Sequence, residues 1–108
     1  MASTVLNNKG YAAVGDRVIR GGDKEFSLDK LDAVILQVSD LSIAPDPVRL
    51  MLVFGKDTLI VPSGNENYDR FFAELDKRVG LNHDAFLRAM DCATGCDFTL
   101  YTKSENSF

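Results

Sequence analysis

Cys92 and Cys96, in Cys-Ala-Thr-Gly-Cys, are the residues whose types and spacing come nearest to chemistry. Two thiols at this distance could cycle as a redox couple, or hold zinc with His83 and Asp97. The redox motif, however, separates its cysteines by two residues, not three. A structural zinc normally takes four Cys or His ligands, and the chain has three such residues in all. No metal site is assigned. Each cysteine is expected as a free thiol that packs as a small hydrophobe. His83 is the single histidine, so any His-dependent triad would need it as base, yet no serine stands in a nucleophile-elbow context. It follows Asn82, a good helix cap, and reads as a solvated neighbour of that cap. The carboxylates Asp29 and Asp32, or Asp69 and Asp76, form candidate pairs for acid and base work. Such work needs a burial difference that raises one pKa, and nothing in the sequence supplies one, so they read as solvated charge. No catalytic residue, cofactor or metal follows from these residues, and the chain is not expected to be an enzyme.

Charge narrows the partners. The 108 residues carry a net charge of −4, and Lys9, Arg17, Arg20, Lys24 and Lys30 are interleaved with Asp16, Asp23, Glu25 and Asp29. Phosphate neutralisation needs a basic surface, so nucleic acid is not expected as a partner. Met1-Ala-Ser-Thr4 lacks the features of a signal peptide, and no apolar run approaches the ~18 residues of a membrane span. A cytoplasmic protein without membrane insertion is the expectation, and reduced thiols agree with it. The length suits one domain over residues 1–108.

The positioning elements centre on residues 48–80. Val48-Arg-Leu-Met-Leu-Val-Phe54 alternates with a two-residue period, and both its faces are largely apolar, which predicts a strand covered on each side. Gly55-Lys56-Asp57 predicts a hairpin into Thr58–Val61. A two-residue loop would pair Leu52 with Leu59 and Leu50 with Val61; a three-residue loop would shift this by one. Pro62 stops the strand. Ser63 and Glu66 have capping-box spacing, which predicts a helix from about Gly64 to Val79 with Tyr68, Phe71, Phe72, Leu75 and Val79 on one face and Gly80 as its end. That aromatic group reads as core, not as a ligand cage.

Upstream, Asn7-Asn-Lys-Gly10 predicts a hairpin between Val5-Leu6 and Tyr11–Val14, and Gly15-Asp16 a turn into Arg17–Arg20. Glu25–Leu28 should be a strand with Phe26 and Leu28 on one face. A polar step follows with one buried-type leucine, Leu31, then the β-branched strand Ala33–Val38. Ser39–Ile43 should continue the alternation, and Ala44-Pro-Asp-Pro47 should form an extended loop. Downstream, Asn82 should cap a short helix with Phe86, Leu87 and Met90 inward, ending near Cys92. Asp97–Thr102 should be a last strand, with Lys103–Phe108 frayed.

Phe26-Ser-Leu-Asp-Lys-Leu31 leading into Val34–Val38, then Val48–Gly55, then Leu59-Ile-Val-Pro62 and the Tyr68–Val79 helix together resemble the bacterial PH-like domains over about residues 4–80. The resemblance implies an α+β fold: a strongly bent antiparallel β-sheet, as barrel or sandwich, capped by the amphipathic helix. A short C-terminal helix and strand from about residue 81 lie beyond it. Phosphoinositide-binding members of the wider group carry a basic cluster on the first hairpin. Here the candidates are Lys9, Arg17 and Arg20, and the last two, three apart in a strand, point to opposite faces. Lipid binding is therefore not implied. What remains is a non-enzymatic interaction module that binds a protein, or itself, through an exposed sheet edge or the groove between edge strand and helix. The alternative is a small acidic immunity-type inhibitor that neutralises a basic enzyme.

Overall fold

The computed structural model describes residues 2–6, 9–38, 48–92 and 96–103. In chain order its elements are β1 (Ala2–Val5), β2 (Ala12–Val14), β3 (Val18–Gly21), β4 (Lys24–Ser27), a 3-10 turn at Leu28–Lys30, β5 (Ala33–Val38), β6 (Val48–Phe54), β7 (Asp57–Pro62), α1 (Tyr68–Val79), α2 (His83–Met90) and β8 (Cys96–Thr102). The fold is α+β, as expected. The strands form two sheets: a five-stranded one in the order β1-β7-β6-β5-β8, and a three-stranded one in the order β2-β3-β4. The larger sheet is mixed, because β1 runs parallel to β7, and it does not close into a barrel.

Side-chain alternation decides which face is core. Val34, Leu36 and Val38 of β5, Leu50, Leu52 and Phe54 of β6, and Leu59 and Val61 of β7 are buried on one face. Leu31, the leucine of the polar step, joins them in the core. The hairpin register is Leu52 with Leu59 and Leu50 with Val61, so Gly55-Lys56 is a two-residue loop. Gly55 takes a φ of 62° while Lys56 stays at negative φ, the pattern of a type II′ turn. Asp32 Oδ2 accepts the Gly55 N–H at 2.7 Å and holds the tip.

Three expectations are corrected here. The expected hairpin partners Val5-Leu6 and Tyr11–Val14 do not pair: β1 pairs with β7 in one sheet and β2 with β3 in the other. The Leu6 N–H extends the parallel ladder to the Ile60 carbonyl at 3.0 Å, which places Leu6 in the core and covers the edge that β7 would otherwise expose. The helix begins at Tyr68, four residues later than the capping box predicts. Asn65 explains the delay. It is 4% exposed; its Oδ1 accepts the Asn67 N–H at 2.8 Å, and its Nδ2 donates to the Gly10 carbonyl at 2.7 Å. This side-chain turn competes with helix over the same residues and is tied to the segment ahead of β2. Third, Leu87 is 62% exposed, because the eight-residue α2 turns Ala89 into the core and packs Ala85 and Phe86 against it instead.

Phe71 and Leu75 of α1 are fully buried, and α1 lies along β2, with Arg78 paired to Asp16 at 2.9 Å. Tyr68 and Phe72 are half-buried; the Phe72 ring sits 5.1 Å from that of Phe86, which joins the two helices. Gly80, at φ 72°, ends α1 as predicted. The sheets meet where Phe26 stacks on Phe54 at 4.7 Å and where Gly21 faces Leu59, leaving no room for a Cβ. Asn82 caps α2, its Oδ1 accepting the Ala85 N–H at 3.1 Å. The C-terminal segment is no appendage: β8 pairs with β5 inside the larger sheet, and the Lys103 N–H continues to the Asp32 carbonyl at 2.8 Å. The expectations for 39–47, for the Met90 side chain and for fraying at 104–108 lie outside the described residues; Lys103, the expected start of fraying, is instead held by its N–H to Asp32 and its Nζ to the Asp29 carbonyl. Among the described residues no helix is long and apolar enough to cross a membrane.

Candidate functional site

Because Val34, Leu36 and Val38 face the core, Ala33, Ile35 and Gln37 must face the other way, and the register extends this outer face across the sheet. Ile35 lies between Thr99 of β8 and Met51 of β6; Met51 lies beside Ile60 of β7, and Ile60 beside Val5 of β1. Ile35, Met51, Ile60 and Val5 thus form one apolar stripe at right angles to four strands. The next row holds Ala33 and Val53 with Thr102 and Thr58, and the row on the other side holds Asp97, Gln37, Arg49 and Pro62.

None of Ile35, Met51, Val53 and Ile60 belongs to the core cluster or to the side chains packed on it; all are half-buried, and Val5 is 61% exposed. The reading of Val48–Phe54 as covered on both faces is borne out for the core face alone: among the described residues its outer side chains are half-buried and lie outside the core cluster. An antiparallel sheet with one face in water usually alternates apolar with polar, and this outer face is apolar along its centre. Arg49 Nε and Thr102 Oγ1, on the same side, are buried without a hydrogen-bond partner among the described residues.

A second feature is the groove at the end of β8. The β5–β8 register slips at Leu100, between the pairs Val34–Tyr101 and Ile35–Thr99, and the Leu100 carbonyl turns outward to accept the Asn82 N–H at 2.8 Å. Beside it lies a cavity of about 290 Å³ lined by Val79, Gly80, Asn82, Thr99, Tyr101 and Thr102. Its lining is polar and contains neither a carboxylate nor a histidine, so it offers no acid–base pair.

The residues singled out in the sequence are not brought into one site. Cys92 and Cys96 are joined by a disulfide, which corrects the free-thiol expectation. Their Cα atoms lie 6.5 Å apart, within bridging range. Cys96 lies on the core side of β8, opposite Val38, and Asp97 on the outer side, opposite Gln37. His83 is not merely solvated: its Nε2 lies 2.9 Å from Asp76 Oδ2. Asp29 and Asp32 do not act as a pair, since Asp32 holds Gly55 while the Asp29 carbonyl accepts from Lys103 Nζ. Arg20 pairs across the strands with Glu25 at 3.6 Å, with both side chains exposed.

Asp76 is a structural link that sequence reasoning missed. Its Oδ1 accepts the Leu81 N–H at 2.9 Å, and that bond, then His83, holds its carboxyl below the ordinary 3.8. The hint was its place in the last turn before Gly80, within reach of the amides that follow the helix end. Asp76→Ala is expected to cost about 1–2 kcal/mol at neutral pH. A carboxylate with a lowered folded-state pKa stabilises above its unfolded value and loses this as pH falls. The difference between wild type and variant should therefore shrink below pH 3.8 in urea unfolding.

Tyr68 shifts the other way. Burial, with the Asp69 charge adding to it, pushes its phenol from 10.0 up to about 12. The unfolded chain then loses this proton first as pH rises, so stability is complete below pH 10 and declines between 10 and 12. Tyr68→Phe should flatten that alkaline decline in equilibrium unfolding.

Compared with protein-family profiles, with curated proteins and with solved structures, the chain returns no match.

Proposed function

We propose that this chain is a non-enzymatic protein-interaction module of PH-like type, and that the outer face of its five-stranded sheet is the surface through which it binds. The observation that carries this reading is the stripe Ile35, Met51, Ile60 and Val5, apolar across four strands and outside the core. An apolar sheet face in water is a cost that a partner relieves. The PH-like part is supported by the two packed sheets with an amphipathic helix against them, on a chain whose strand and helix motifs resemble that group.

The test compares retention of proteins from a lysate of the native source by the tagged chain, by Met51→Glu and by Leu87→Glu. Leu87 is exposed on α2 and away from the stripe. A stoichiometric protein, the chain itself included, held by wild type and Leu87→Glu but lost by Met51→Glu is the expected result. Equal retention by all three overturns the face as the binding surface. The net charge of −4 favours a second reading, a charge-driven inhibitor of a basic enzyme. Its signature is one foreign protein released by salt and indifferent to Met51→Glu.

A further inference from the structure

We infer that the occupant of this face is a second copy of the chain, packed sheet to sheet about a two-fold axis that runs along the stripe. The inference rests on the interaction-module reading and names its partner. Face-to-face sheets pack ~10 Å apart, with side chains interdigitating. With the axis along the stripe, Ile35, Met51, Ile60 and Val5 each meet their own copy, the self-complementarity that an isologous contact requires. The flanking rows exchange, so the row of Asp97, Gln37 and Arg49 lies over the row of Thr102, Ala33 and Val53 of the other copy.

Charge agrees with this arrangement. The chain as a whole is acidic at −4, and two copies repel over most of their surface. The outer-face rows carry one cation, Arg49, and one anion, Asp97, both off the axis. Neither meets its own copy across the axis. The face is thus a locally neutral part of an acidic protein. Its area is sufficient for a weak dimer: five strands ~4.8 Å apart and about six residues long at ~3.4 Å give roughly 500 Å². Two copies then cover about 1,000 Å², the lower limit for a specific interface. Such a contact should be reversible, with a Kd on the order of 1–100 µM.

Sedimentation velocity and native mass of the full chain, over roughly 1–200 µM, test this. Wild type should pass from monomer to dimer. Met51→Glu, which sets two carboxylates against each other near the axis, should weaken the dimer by roughly a hundredfold or more. Val5→Glu, at an exposed edge position, gives a second variant that does not endanger the fold, and it should weaken the dimer by roughly tenfold. Unchanged far-UV circular dichroism and thermal midpoint accompany either loss if the interface alone is touched. A chain that stays monomeric throughout the range, or a dimer that neither substitution weakens, overturns the inference. The two proposals fail separately. A monomeric chain that retains a foreign protein sensitive to Met51→Glu sinks the self-association and leaves the interaction module standing. Retention indifferent to Met51→Glu sinks both.

Discussion

Phe71→Ala is expected to lower the unfolding free energy by about 3–5 kcal/mol, the largest single-residue loss this fold should show. Phe71 is 0% exposed and is the largest of the fully buried side chains. It stands on α1 where that helix lies along β2, among the residues shared by both sheets and both helices. Truncation removes the transfer energy of a phenyl ring and leaves a cavity that two sheets and a helix cannot all collapse into. A domain of this size has roughly 5–15 kcal/mol in total, so the variant should be close to unfolded at physiological temperature. The comparison is Phe72→Ala, one residue on. Phe72 is half-buried and meets Phe86 in a tilted ring contact, so its loss should be clearly smaller. Urea titration followed by circular dichroism measures both. Equal losses would mean that α1 does not sit on the core as described.

Asn65→Ala is expected to cost about 2–4 kcal/mol, a large figure for a residue outside any helix or strand. The substitution removes the acceptor for the Asn67 N–H and the donor to the Gly10 carbonyl, and both bonds are part-buried. Polar groups left unpaired under such shielding cost more than the bonds contributed. The Asn67 side chain, at 3.4 Å from the same carbonyl, can recover a little of the loss. Asn65→Asp separates the two roles. The carboxylate still accepts from Asn67 but cannot donate to Gly10 and sets a buried charge against that carbonyl, so at neutral pH the variant should lose at least as much as Asn65→Ala and recover part of this as the carboxyl protonates. Hydrogen exchange at Asn67 should quicken in Asn65→Ala and stay slow in Asn65→Asp. A loss below ~0.5 kcal/mol for Asn65→Ala, the size of an ordinary surface change, would show that this turn does not hold the start of α1 to the first sheet crossing.

By itself, the sequence determined what local chemistry determines. The apolar alternation and β-branched content of Ala33–Val38, Val48–Phe54 and Thr58–Val61 placed three strands. Gly55 and Gly80 marked a hairpin tip and a helix end, because few residues other than glycine take positive φ at little cost. Asn82 marked the start of α2 because its side chain satisfies an amide three residues away. Tertiary structure decided everything that depends on a distant neighbour. Whether Asn65 would leave Ser63 and Glu66 to cap a helix turned on the Gly10 carbonyl, fifty-five residues away. Whether β1 would fold back on β2 or run beside β7 turned on which edge stood open. The apolar outer residues of Val48–Phe54 were legible, but their status was not. Alternation shows that a strand has two faces, and only tertiary packing shows which of them joins the core. The candidate site is the other face, half-buried among the described residues, which is why composition and motif could not point to it.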